Sequence, residues 1–360
     1  RKRASPPSGG KPNIRNAEKD RRPGCAFAER VAACAKAEYL RRRPAAAAAA
    51  RQTVLAAVLA LDETSGELFV VSFGVGTKFR REAASNDGSA LRDLHAEVLA
   101  RRGLQRFLHQ EVLRSLRGEA CELLEAGAPR LRAEVSLHFY SSSVPCGNAS
   151  WKRWAKGGTC EAYDEGIWPR QRHPRIHLHA RSEGQAAFLV KGESVDAPVS
   201  VPPGCALFNP ETEESQGPLC CSDKLAQWAA LGVLGRHLSA AFEAPLRFSS
   251  CTIGRKFSWP HAARALCCRL QDFQAPGYGL QHLDLLGCSV KLDDGIYEDG
   301  AGADFSEQRC LVWVRGDEAE LLDGQTGLLE ARGDGETAAS VSTRRLAELA
   351  QSWRPLVDAE

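Results

Sequence analysis

The chain predicts an α/β fold, a mixed sheet covered by helices on both faces and so three layers deep. Stretches of strand-like and helix-like pattern alternate along the 360 residues. Candidate ligand residues sit where one pattern gives way to the other. A 43% share of hydrophobic residues over this length can bury a sizeable core, as one large domain or two small ones.

Taken in order, Arg1–Gly24 is basic, rich in Pro, Gly and Ser, and poor in apolar residues. It is expected to be a disordered tail ahead of a domain spanning residues 25–360. Phe27–Leu40 predicts a first helix, with Val31, Cys34, Ala35 and Tyr39 inward. Arg41–Ala50 is low-complexity and is broken by Pro44. Val54–Leu61 and Leu68–Phe73 read as paired strands around the turn residues of Asp62–Gly66. Asp93 is expected to cap the next helix, whose apolar face carries Val98, Leu99, Phe107, Leu108 and Val112. A strand follows at Val135–Tyr140. Trp151–Pro218 is irregular and punctuated by Gly157-Gly158 and several prolines. Ser222 or Asp223 is expected to cap a helix over Lys224–Leu234. Leu246–Ile253 reads as a strand, His261–Leu270 as a helix, and Leu311–Val314 with Glu320–Leu322 as a hairpin around Gly316-Asp317. Thr343–Trp353 is the last helix, and no internal repeat is visible.

The chemistry is concentrated in Asp93-Leu94-His95-Ala96-Glu97, Pro145-Cys146-Gly147 and Cys221-Ser222-Asp223-Lys224. Zinc nucleobase deaminases use an H-x-E…P-C-x-x-C order, with the Glu outside the metal shell. His95 and Glu97 fill the first half and Pro145-Cys146 opens the second. Ala149 stands where the second Cys would be, so a third ligand must come from elsewhere. Cys160, Cys205, Cys220 and Cys221 are the candidates, and the helix start after Cys221 favours it, with Cys220 the near alternative. Three ligands leave a position for water, and Glu97 is placed to carry the proton. Each piece alone is ordinary: H-x-E occurs on exposed helices, Pro-Cys-Gly is a common turn, and a lone Cys is usually a small buried hydrophobe. Their conjunction in this order favours zinc. A structural zinc site would want four ligands and no adjacent base, and a cytidine deaminase would want Cys at 149. A silent RNA-binding relative would not need the intact set.

These segments, with Val70–Lys78, Arg101-Arg102, Ser143–Ser150, Pro245–Gly254, Val312–Asp317 and Gly324–Gly327, resemble the editase deaminase domain. That family contains the double-stranded-RNA adenosine deaminases and the tRNA-specific deaminase acting beside the anticodon of alanine tRNA. The resemblance runs from about Ala26 to near the chain end. It implies a cytidine-deaminase-like sheet, zinc on His95, Cys146 and Cys221, and Glu97 as proton shuttle. It also implies a buried inositol hexakisphosphate near Arg101, Arg102 and Lys224, linked to the metal through Asp93. Arg92 and Gln227 depart from the family's usual Asn and Arg there, and Asn148 from the usual Asp. The family's C-terminal ligands for that polyphosphate would mostly lie past Glu360. Lys191-Gly192-Glu193 aligns with the loop that enters the space left by a flipped base, making Lys191 and Glu193 substrate-contact candidates.

A formal net charge of +2 means that any RNA surface is a local patch. His173, His177 and His179 lack Cys or acidic companions at ligand spacing and read as an exposed strand or RNA-facing loop. Thirteen irregularly spaced Cys and no secretory signal suggest a reducing compartment, nucleus or cytoplasm. No apolar run approaches the ~20 residues that span a bilayer, and no protein partner is implied. With no Met in the chain, its start is expected to differ from the native one. A tail of this length falls short of the roughly 50 residues of a separate RNA-binding module. The expected substrate is therefore tRNA, with double-stranded RNA as the alternative.

Overall fold

A computed structural model describes residues 25–44, 54–79, 87–147, 149, 187–188, 199–200, 219–267, 270, 274–290, 309–330 and 337–358. The strands are β1 (Leu55–Asp62), β2 (Leu68–Val75), β3 (Thr77–Phe79), β4 (Asp93–His95), β5 (Val135–Ser143), β6 (Ser250–Arg255), β7 (Asp284–Gly287), β8 (Arg309–Val314) and β9 (Glu320–Asp323). The helices are α1 (Ala26–Arg42), α2 (Ala96–Leu116), α3 (Cys221–Leu231), α4 (Gly235–Leu238), α5 (Trp259–Leu266) and α6 (Thr343–Val357). Three short hairpins complete the described elements: Leu124–Glu125 with Ala128–Leu131, Ala187–Phe188 with Val199–Ser200, and Gln274–Ala275 with Tyr278–Gly279.

Seven strands form one sheet in the order β7-β6-β5-β1-β2-β8-β9. β5, β6 and β7 run parallel, and the other pairs are antiparallel, so the sheet is mixed as expected. In β1, Ala56, Val58 and Ala60 point to one face, and Leu55, Ala57 and Leu59 to the other, all fully buried. That two-sided burial explains why the strand reads as a continuous apolar run. The first face is covered by α2, α3, α5 and α6, and the second by α1. On the α1 face, Phe73 stacks on Trp313 at 5.4 Å and meets Tyr39 edge-on at 5.9 Å. Burial of each such ring contributes roughly 2–3 kcal/mol.

Helix α2 sits on the sheet without a spacer. A Cβ on Gly74 would lie 2.4 Å from the Leu99 Cβ and 2.6 Å from the Ala96 carbonyl oxygen. A Cβ on Gly103 would lie 2.7 Å from the Ser72 Cβ. The Ser72 hydroxyl donates to the Ala100 carbonyl at 2.7 Å, tying the same surfaces together.

Several expected boundaries move. The helix expected from Asp93 begins at Ala96, because Asp93–His95 pairs with Thr77–Phe79 instead. The helix expected over Lys224–Leu234 runs Cys221–Leu231 and stops at Gly232, whose φ is +81°. Leu246–Ile253 becomes Ser250–Arg255, and His261–Leu270 becomes Trp259–Leu266. The last helix starts at Thr343 as expected, where the Ser342 hydroxyl accepts from the Arg345 N–H at 3.2 Å. Within the first helix Ala28 and Ala32 join Val31, Ala35 and Tyr39 in the core, while Cys34 is half-buried against the Leu68 carbonyl. Most of Trp151–Pro218, with Lys191, Glu193 and the three histidines, lies outside the described residues, as does Arg1–Gly24.

Two core histidines make stability pH-dependent. His109 is 2% exposed, accepts the Trp353 indole N–H at 2.9 Å, and is held at about 4 by burial, with His237 and Arg106 adding to it. His138 is 5% exposed between the Ser136 and Ser250 hydroxyls and is likewise held at about 4 by burial. Both folded-state values lie below the unfolded one near 6.5, so the unfolded chain takes up the protons. Stability present above about pH 6.5 is then lost toward pH 4, by about 2 kcal/mol per histidine at pH 5. Urea unfolding at pH 7 and pH 5 should show this loss, reduced in His138→Gln; equal stabilities at both pH values would contradict it.

Candidate metal centre and active site

Each ligand candidate sits at the end of a strand or the start of a helix. β2 runs through Gly76 into β3, and β4 pairs back so that Thr77 faces His95. The Ala96 N–H donates to the Gly76 carbonyl at 2.9 Å, fixing the start of α2 to the end of β2. A side chain on Gly76 would meet the Leu94 carbonyl oxygen at 2.4 Å and the Cys310 sulfur at 2.7 Å. His95 therefore becomes the residue before the first helical turn, and Glu97 falls inside that turn, 3% exposed. Asp93 is not the helix cap. Its carboxylate accepts from the His95 N–H at 3.1 Å and is ion-paired with Lys224.

Cys146 follows the last pairing of β5, where the Val144 N–H reaches the Arg255 carbonyl at 2.9 Å and Pro145 has no N–H to continue the ladder. Of residues 148–186, only the buried Ala149 lies among those described. Cys221 is the first residue of α3, not a residue ahead of its cap. The Cys221 N–H points at the Cys146 sulfur at 3.3 Å, the setting in which a helix start favours a thiolate.

The three side chains converge. The His95 Nδ1 lies 3.7 Å from the Cys146 sulfur and 3.4 Å from the Cys221 sulfur. All three ligand atoms fall within 4.8 Å of one another. A tetrahedral zinc with ordinary Zn–N and Zn–S lengths separates such a nitrogen and sulfur by about 3.6 Å, so the donor set and spacing fit. Cys220 is not in this group. It packs instead against Gly147, where a Cβ would lie 2.5 Å from its own. Gly147 has φ +92°, a conformation that glycine adopts without strain.

The basic residues form a second layer. Arg101 donates to the Val233 carbonyl at 3.0 Å and lies 5.1 Å over the Trp228 ring. Burial, with Arg102 beside it, lowers it to about 9. Arg102 donates to the Val341 carbonyl at 2.7 Å and the Thr343 hydroxyl at 3.2 Å; burial lowers it to about 10, while Asp93 pulls it upward. Arg101, Arg102, Asp93 and Lys224 are thus one electrostatic group adjoining His95 through Asp93. Two arginines depressed this far form a site that an anion would stabilise.

Beside Glu97, burial together with Glu97 and Cys267 holds the Cys251 thiol protonated, so it is a packing neighbour and not a nucleophile. A cleft of about 400 Å³ lies between α2, α6 and the β8–β9 hairpin. Its charges are mutually satisfied: Arg106 on Asp317, Arg345 on Glu348, and Glu320 on the Ser340 N–H and hydroxyl. The ten described cysteines are free thiols, and among the described residues no helix is long and apolar enough to cross a membrane.

Sequence reasoning placed Ser222 and Gly147 in the motifs but missed their contact with each other. Ser222 looks like a helix cap, yet it lies inside α3 with its hydroxyl on the Cys146 carbonyl at 2.8 Å. The signal for both was their adjacency to a ligand cysteine.

A family model described as the adenosine-deaminase (editase) domain matches residues 72–359. The double-stranded RNA-specific adenosine deaminase of Mus musculus is 27% identical over 305 residues, covering 81% of this chain and 25% of that protein. The tRNA-specific adenosine deaminase 1 of Drosophila melanogaster is 32% identical over 199 residues, 55% of this chain and 47% of the relative. The tRNA-specific adenosine deaminase 1 of Homo sapiens is 26% identical over 307 residues, 60% of this chain and 61% of the relative. The chain thus spans less than two thirds of the length of each.

Proposed function

This chain belongs to the adenosine-deaminase (editase) domain family, and from that premise we propose that it converts adenosine to inosine in RNA, with Zn²⁺ on His95, Cys146 and Cys221. One observation carries the reading: a buried Glu97 two residues from His95, which converges with Cys146 and Cys221 in a group that could hold a metal ion, among the described residues. A closed structural site would hold four ligands and no base.

Zn²⁺ bound there would act as a Lewis acid and acidify a water at its open position. Glu97 takes a proton from the attacking water and gives it to the ring nitrogen next to the reacting carbon. It then takes the proton of the new hydroxyl and carries it to the exocyclic amine, so that the carbon–nitrogen bond breaks, ammonia departs and a carbonyl oxygen is left on the ring. Burial of Glu97 keeps that carboxylate out of bulk water, so proton transfer is directed to the substrate.

The substrate we infer is the adenosine 3′ of the anticodon in alanine tRNA. The fly tRNA-specific relative has the highest identity of the three compared, which supports this reading. Double-stranded RNA is the second reading, because the mouse relative aligns over a larger share of the chain. Lys191 and Glu193 are proposed to enter the space left by the flipped base. An inositol hexakisphosphate is proposed against Arg101, Arg102 and Lys224; the depressed arginines support it. Its added mass in native mass spectrometry of the purified chain is the check.

The deciding experiment follows inosine in an alanine-tRNA anticodon-loop transcript and in a long perfect duplex. Inosine beside the anticodon alone is the expected result. Inosine scattered through the duplex would move the chain to the second reading, and inosine in neither would overturn the deaminase assignment.

A further inference from the structure

Cys146 is held from two sides by consecutive residues of α3. The Cys221 N–H points at its sulfur at 3.3 Å, and the Ser222 N–H donates to its carbonyl at 3.0 Å. The Ser222 hydroxyl donates to the same carbonyl at 2.8 Å, so both lone pairs of that oxygen are engaged. Ser222 is fully buried, and its hydroxyl oxygen lies 2.7 Å from the place where a Cβ on Gly147 would be. The bare Cα of Gly147 is what lets α3 come this close. Cys146 and Cys221 stand 75 positions apart in the chain, and this contact brings their sulfurs into one donor set.

We propose that Ser222 is a positioning residue for the metal: its hydroxyl sets the distance between Cys146 and Cys221 and so the tightness of the site. The proposal rests on the metal reading above. No ligand role is needed for the serine itself. Its oxygen is spent on the Cys146 carbonyl, and the sulfur geometry follows from a backbone held on both sides. Partners that orient ligands in this way typically govern metal affinity by about 10–100-fold.

The test compares wild type, Ser222→Ala and Ser115→Ala by competition for zinc against a chromophoric chelator. The thiolate-to-cobalt charge-transfer band of the cobalt form is read beside it. Ser115 is a fair control. It too is fully buried, and its hydroxyl donates to the Glu125 carbonyl at 2.6 Å. It sits near the far end of α2, roughly 30 Å from His95 at the usual helical rise.

Ser222→Ala is expected to bind zinc about 10–100-fold more weakly and to shift the cobalt band. Ser115→Ala should lose thermal stability but keep both metal readouts. Unchanged affinity and band in Ser222→Ala would overturn the proposal, as would an equal loss in both variants. If Ser222→Ala does not fold, Ser222→Thr keeps the hydroxyl: a wild-type band supports the role and a shifted band refutes it. A wild type that binds neither metal would instead remove the metal reading underneath.

Discussion

Glu97→Ala should lower the rate of inosine formation by roughly 10⁴-fold, the upper range for loss of a general acid–base group. Zinc content and affinity should stay near wild type. The separation is expected because Glu97 is not one of the converging donor atoms, which belong to His95, Cys146 and Cys221. Alanine at a position 3% exposed leaves a small void in the first turn of α2 without touching His95, whose place is fixed by β3. Metal analysis beside single-turnover kinetics checks both halves. Retained turnover would remove the proton-carrying role, and lost zinc would make Glu97 part of the metal shell.

Cys221→Ala should bind zinc far more weakly, beyond the 10–100-fold of outer-shell changes, because one of three donors is gone. Cys220→Ala should keep the metal. The two cysteines are neighbours in sequence, but the turn into α3 sends them to different places. Cys221 faces His95 at 3.4 Å, while Cys220 lies against Gly147. The same geometry makes the pair a sharp test, since a generic effect of thiol removal would strike both alike. Zinc lost from Cys220→Ala and kept by Cys221→Ala would reassign the ligand.

Much of this was legible before any coordinates. The continuous apolar run of β1 and the His95-x-Glu97 spacing are local signals, and local signals survive folding. The approach of a second cysteine from outside the usual slot was also legible, because Ala149 closes that slot, although the helical period of α3 left Cys220 and Cys221 both open. What failed were boundaries set by contacts distant in sequence. Asp93 has the chemistry of a helix cap, but β3 competes for its backbone and Lys224 takes its carboxylate. Ser222 has the same preference, yet its hydroxyl goes to the Cys146 carbonyl and the helix starts one residue before it. Strand β7, Asp284–Gly287, is too short for a pattern and owes its existence to its pairing with β6. The sequence alone does not say how far Arg101 and Arg102 are covered. The contacts with Val233, Trp228 and Val341 hold both as half-buried charges.

The seat of α2 on Gly74 and Gly103 has a mechanical consequence. This helix is 21 residues long, about 30 Å at the usual rise, and its first turn carries Glu97. Gly74 lies under Ala96, Leu99 and Ala100, and Gly103 rests on Ser72 about two turns further on. The rod is therefore clamped at two points, one of them directly beneath the end that carries Glu97. A methyl at residue 103 would act as a wedge that tilts the rod about the first clamp. A methyl at residue 74 would lift the end that carries Glu97. The position of the Glu97 carboxylate is thus gauged by two absent side chains, because a Cβ at either glycine would lie under 3 Å from its neighbours.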